Sequence, residues 1–98
     1  MKKFTPLEKN KQEIGSLTIV GTPIGNISDF SERGKKALQE SDVVAAEDTR
    51  SAKKLAFLSG LTLKKIISYN ENNSVRQIKA IIEQIDSGKN VALISDAG

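Results

Sequence analysis

The chain has 98 residues, 38% hydrophobic and 28% charged, a balance that fits one small domain and argues against two. It contains no cysteine and no histidine, which excludes disulfide staples, thiolate metal sites and an imidazole proton shuttle, so any acid–base chemistry must use Asp, Glu, Lys or Tyr. No apolar run approaches the roughly 18 residues of a membrane span, and the Lys-rich start lacks the apolar stretch of a secretory signal, so a cytoplasmic protein with neither membrane contact nor metal is expected.

The net charge of +3 is unevenly placed. Residues 1–13 carry Lys2, Lys3, Lys9 and Lys11 against Glu8 and Glu13, a net +2, and leave residues 14–98 with 11 basic and 10 acidic groups, a net +1. A basic arm can add phosphate affinity without sequence information, but a solvated, disordered tail is the simpler expectation for residues 1–13. Residues 14–98 form the expected domain.

From Leu17 the chain alternates short β-branched runs with longer segments whose apolar residues recur every three to four positions, the pattern of βαβ units. The first run is Leu17–Gly21. A helix is expected from Asp29 to Ser41, with Phe30, Ala37 and Leu38 on one face and Gly34 weakening it by about 1 kcal/mol unless close packing requires the glycine. Val43–Glu47 follows as a central strand. The next helix runs from Thr49 to Ser59, with Ala52, Leu55 and Phe57 or Leu58 facing the core and Gly60 ending it. After the run Ile66–Tyr69, Ser74 and Gln77 match a capping box, Val75, Ile78, Ile81, Ile82 and Ile85 form an apolar stripe, and Gly88 closes the third helix. Val91–Ser95 is the second central strand, since Val43–Ala46 and Val91–Ile94 are continuously apolar, as strands buried on both faces are. The implied fold is a three-layer α/β/α arrangement around a mainly parallel sheet. A further helix and strand are expected beyond Gly98, so the chain reads as truncated after its fourth strand, with apolar surface that another copy could cover.

Ligands of open parallel sheets collect outside the carboxyl ends of the strands. The loop Gly21-Thr22-Pro23-Ile24-Gly25-Asn26 is neither a dinucleotide fingerprint nor a P-loop, yet its glycines and proline let backbone approach a ligand closely. Glu47-Asp48-Thr49-Arg50 sits at a strand-to-helix junction and has two readings: a helix cap with Arg50 pairing a carboxylate, or an acid placed to bind ribose hydroxyls. Tyr69-Asn70-Glu71-Asn72-Asn73 reads first as a solvated turn. Asp96-Ala97-Gly98 would lie beside the first loop if the first and last strands are neighbours, although capping of a following helix explains Asp96 equally well.

Taken in order, Thr18-Ile19-Val20-Gly21-Thr22-Pro23-Ile24-Gly25-Asn26, Ala45-Ala46-Glu47-Asp48-Thr49-Arg50 and Ala92-Leu93-Ile94-Ser95-Asp96-Ala97-Gly98 closely resemble the ribosomal RNA small-subunit methyltransferase I family of the tetrapyrrole methylase superfamily. The likeness runs from about Gly15 to Gly98 and corresponds to the first part of a family member. It implies an N-terminal domain of a two-domain, usually dimeric enzyme that uses S-adenosyl-L-methionine to methylate a cytidine ribose 2′-hydroxyl in small-subunit ribosomal RNA, within the assembled small subunit. By the same likeness Thr22, Pro23, Gly25 and Asn26 line the cofactor cleft, and Ser95, Asp96, Ala97 and Gly98 begin the main cofactor loop. Attack of a weakly acidic ribose hydroxyl on a sulfonium methyl makes Glu47 and Asp48 the candidate proton acceptors, with Arg50 holding a phosphate or orienting them.

Two departures matter. Asn70-Glu71-Asn72-Asn73 stands where the family commonly has a His-Glu-His-Asn run, so no role of either histidine transfers, and Gly34 replaces a usual alanine. Methylation of a tetrapyrrole carbon ranks behind, because Thr22-Pro23-Ile24-Gly25-Asn26 lacks the Gly-x-Gly-Pro-Gly-Asp turn of those enzymes. A non-catalytic nucleotide- or RNA-binding module is the alternative of a different class. The 98 residues alone are expected to be inactive, since the second wall of the cleft is absent from them.

Overall fold

The computed structural model describes residues 2–4, 14–22, 27–70 and 72–95. Strand β1 is Lys2–Phe4, β2 Leu17–Gly21, helix α1 Glu32–Glu40, β3 Val43–Ala46, α2 Thr49–Leu58, β4 Ile66–Ser68, α3 Ser74–Asp86 and β5 Val91–Ser95. The sheet order is β1-β2-β5-β3-β4, with β1 antiparallel to β2 and the other pairings parallel. The four expected parallel strands are therefore present, and Lys2–Phe4, read from sequence as part of a solvated arm, instead pairs along the outer edge of β2.

This order follows from the handedness of crossovers. The chain moves outward from β2 through β3 to β4 with α1 and α2 on one face, then returns across β3 to insert β5 beside β2. A right-handed connection that reverses direction must use the opposite face, and α3 lies there. Val20, Phe30, Leu38, Val44 and Ala92 form the core beneath α1 and α2, while Val43, Ala45, Ile81, Ile85 and Val91 form the core beneath α3. Adjacent residues of β3 point to opposite cores, which is why all four of its residues are buried.

Several local details differ from the periodicity. The first helix begins at Glu32, because Ile27–Asp29 is a 3-10 turn and Ser31 Oγ accepts the Gly34 N–H at 3.0 Å as the cap. The close approach that would justify Gly34 is present: a Cβ there would lie 2.5 Å from Cε1 of the buried Phe30 ring. On α2 the core positions are Ala52 and Ala56, with Leu55 partly buried, and Phe57 is 82% exposed; i, i+3, i+4 spacing from Ala52 turns Phe57 and Leu58 outward.

The expected capping box at α3 is absent. Ser74 is already helical, Asn73 at the cap makes no side-chain bond to the helix, and Gln77 Nε2 donates to the Ser68 carbonyl at 2.7 Å, tying the helix to the end of β4. The apolar stripe is also wider than its contact with the sheet: Ile81 and Ile85 are buried, whereas Val75, Ile78 and Ile82 are exposed. Helices α2 and α3 end before Gly60 and Gly88 as expected, both at positive φ.

Candidate active site

Because β5 inserts between β2 and β3, their carboxyl ends stand side by side at one edge of the sheet. Register places Gly21 opposite Ser95. The pairing then extends one step: the N–H of buried Thr22 donates to the Ser95 carbonyl at 3.1 Å, and its hydroxyl reaches the same oxygen at 3.4 Å. Two residues 73 apart in sequence, both expected to border a cofactor, are thus fastened together at the exit of the two strands. Pro23, Gly25 and Asn26 of the first loop, and Asp96, Ala97 and Gly98 of the last, lie outside the described residues.

At the end of β3, the alternatives for the acidic pair separate. Asp48 caps α2: Oδ1 accepts the N–H groups of Arg50 at 3.0 Å and Ser51 at 3.2 Å, and Oδ2 accepts the Ser51 hydroxyl at 2.9 Å. The Ser51 hydroxyl bond, followed by the backbone donors and the charge of Arg50, holds the Asp48 carboxyl below the ordinary aspartate range. A carboxylate so occupied is a weak proton acceptor. Glu47, exposed beside it, has no hydrogen-bond partner among the described residues and is the free carboxylate of the pair. The Arg50 guanidinium is exposed and pairs with neither acid among the described residues, so the expected local ion pair does not form.

The loop after β4 is a self-contained turn. Asn70 Oδ1 accepts the N–H groups of Asn72 and Asn73, Asn73 Oδ1 accepts the Asn70 N–H at 2.8 Å, and both carboxamides return to Ser68. Its asparagines are spent on local structure, in line with the turn reading. Among the described residues no group of three or more acidic side chains is placed to hold a metal, and no helix is long and apolar enough to cross a membrane.

The site is therefore a strand-end edge with fastened backbone at β2 and β5 and, among the described residues, a carboxylate at β3 and a guanidinium on the first turn of α2 that have no partner. This arrangement can hold an extended polar ligand across the strand ends, accept a proton at Glu47 and meet an anionic group with Arg50.

Comparison with known proteins gives the same assignment. Residues 16–98 match the family model described as tetrapyrrole (corrin/porphyrin) methylases. Similar curated proteins include those named ribosomal RNA small subunit methyltransferase I from Thermotoga maritima, 46% identical over 86 residues (87% of this chain and 38% of the relative), and from Bacillus subtilis, 44% identical over 88 residues (90% and 30%). A protein of the same name from Halalkalibacterium halodurans is 40% identical over 90 residues, covering 92% of this chain and 31% of its own length. The chain spans about a third of these relatives.

Proposed function

Because the chain belongs to the tetrapyrrole (corrin/porphyrin) methylases, we propose that the protein containing it transfers a methyl group from S-adenosyl-L-methionine to the 2′-hydroxyl of a cytidine in small-subunit ribosomal RNA. The observation that carries this reading is the junction of Thr22 with Ser95 at the strand ends, beside the free carboxylate of Glu47. The relatives that carry the rRNA-methyltransferase name align over 86 and 88 residues of this chain.

The residues present fit the cofactor by chemistry. Carboxylates at the end of β3 suit a cationic sulfonium, and the exposed backbone of Gly21 suits the polar edges of a nucleoside. When bound, the cofactor supplies an electrophilic methyl, so the protein's own work is positioning and proton handling. Thr22 and Ser95 fix the spacing of the two cofactor loops, with Pro23, Gly25, Asn26, Asp96, Ala97 and Gly98 lining the cleft. Glu47 accepts the ribose proton, Asp48 sets the orientation of the β3–α2 junction on which Glu47 stands, and Arg50 holds the phosphate next to the reacting ribose. The working enzyme is a cytoplasmic homodimer acting on the assembled small subunit.

Incubation of full-length protein with purified small subunits and labelled S-adenosyl-L-methionine, followed by nucleoside analysis, should yield 2′-O-methylcytidine. Label on a base, or none on RNA, would overturn the reading. With Glu47→Ala, single-turnover transfer at saturating cofactor should fall by about a hundredfold or more, the usual size of a lost general base.

A further inference from the structure

At the opposite, amino end of the sheet a groove of about 400 Å³ lies between α1 and the entries to β2 and β5. Arg33 and Lys36 project from α1 on one side, and Ser16, Thr18, Ser41 and Asn90 line the remainder. Both cations are exposed and make no ion pair among the described residues, whereas Lys35 between them, turned to another side of the helix, is paired with Glu32 at 3.3 Å. The floor's serines are held locally: Ser16 Oγ donates to Asn90 Oδ1 at 3.0 Å and Ser41 Oγ donates to the Ala37 carbonyl at 2.6 Å, and with Oδ1 so engaged the Nδ2 hydrogens are the donors that the Asn90 carboxamide offers. Among the described lining residues Glu40 is the carboxylate and pairs with neither cation, while the neighbouring Asp42 Oδ2 accepts the Asn90 N–H at 2.9 Å.

Exposed guanidinium and ammonium groups beside the Asn90 carboxamide donor match a phosphodiester, which offers only acceptors and one negative charge. We infer that this groove takes a phosphate of the substrate RNA's backbone, at a point separate from the reacting ribose; the inference rests on the rRNA methyltransferase reading. β5 separates the two ends by about 13 Å, the four steps of about 3.3 Å between its first and last residues, so the groove holds a different nucleotide from the one at Glu47. Its role is to anchor and orient a structured RNA whose modified nucleotide reaches the other end, as phosphate contacts fix register without reading sequence.

The test measures binding of a fluorescein-labelled fragment of small-subunit ribosomal RNA to the full-length protein as a function of salt, with thermal melting to confirm that each variant is folded. Arg33→Gln with Lys36→Gln should weaken binding by about tenfold at moderate salt and flatten the log–log salt dependence by about 1.4 to 1.8, the signature of two lost phosphate contacts. Lys53→Gln with Lys54→Gln, which removes two exposed charges from α2, should change binding by less than about twofold, and Glu40→Gln should strengthen it. Unchanged affinity in the Arg33/Lys36 variant, or equal losses in both double variants, would overturn the groove and leave only a net-charge effect. Failure of the underlying reading would show separately, as absence of methyl transfer to small-subunit RNA by the unmodified protein.

Discussion

The two ends of one parallel sheet are built for opposite charges. At the carboxyl end, β2, β5 and β3 release loops that carry Glu47 and Asp48 beside the Thr22–Ser95 junction. Toward the amino end the groove carries Arg33 and Lys36 of α1, Lys65 precedes β4 and Lys89 precedes β5, all exposed, with Lys64 partly neutralised by Asp42 at 3.6 Å. On the proposed reading, a cationic cofactor is drawn to the first end and an anionic polymer to the second. The scaffold between is shared: Leu38 and Val44 are fully buried beneath α1 and α2, so damage to it should affect both ends, while damage at either rim should stay local.

Truncation of that shared core is the largest expected perturbation. Leu38→Ala should destabilise the fold by about 2–5 kcal/mol, the range for a fully buried leucine, and lower cofactor and RNA binding together as the folded fraction falls. Chemical denaturation checks the first part. A variant that lost one ligand but kept the other would break the idea of a common frame. Next in size is Glu47→Ala, expected to slow transfer without touching RNA affinity, whereas the Arg33/Lys36 variant should do the reverse.

The smallest effect is a dependence on acid. Asp48 at the carboxyl end, held low first by the Ser51 hydroxyl, and Asp42 at the amino end, held low first by the Asn90 N–H at 2.9 Å, both ionise more readily folded than unfolded. The unfolded chain therefore binds more protons, and the stabilisation is present in full above the unfolded value, near pH 4, and is lost as pH falls through the folded one. Asp42→Asn and Asp48→Asn should each flatten the acid limb of a melting-temperature profile. A profile as steep as that of the unmodified protein would remove these two contacts from the account.

The two ends also differ in how much of each could be read from sequence. Val43–Ala46 and Val91–Ile94 announce buried central strands by continuous apolarity, and the three resembling motifs lie at strand ends, so the carboxyl site was visible as a set of loops. Its internal division was not. Whether Asp48 or Glu47 is free depends on Ser51 reaching back to Asp48, a choice that Ser, Thr and Asp residues at a helix start leave open.

The amino-end groove was illegible because Ser16, Arg33, Ser41 and Asn90 meet only after β5 inserts between β2 and β3, a pairing that no local pattern specifies. One signal was available, Arg33 and Lys36 three apart on a helix and so on one side of it. Gly15 carried another trace of the same insertion: a Cβ there would lie 1.7 Å from the Lys89 carbonyl, so only glycine lets the chain enter β2 against the turn before β5. The misread start of α3 has a related cause, since Asn73 and Gln77 serve the end of β4 rather than their own helix.

The division of labour between the ends is tested most directly by adding S-adenosyl-L-methionine to isotopically labelled full-length protein and following backbone amide resonances. The account predicts shifts at Gly21, Thr22, Glu47 and Ser95, and none at Ser16, Thr18, Lys36 or Asn90. Shifts confined to the amino-end residues, or no shifts at saturating cofactor, would contradict it.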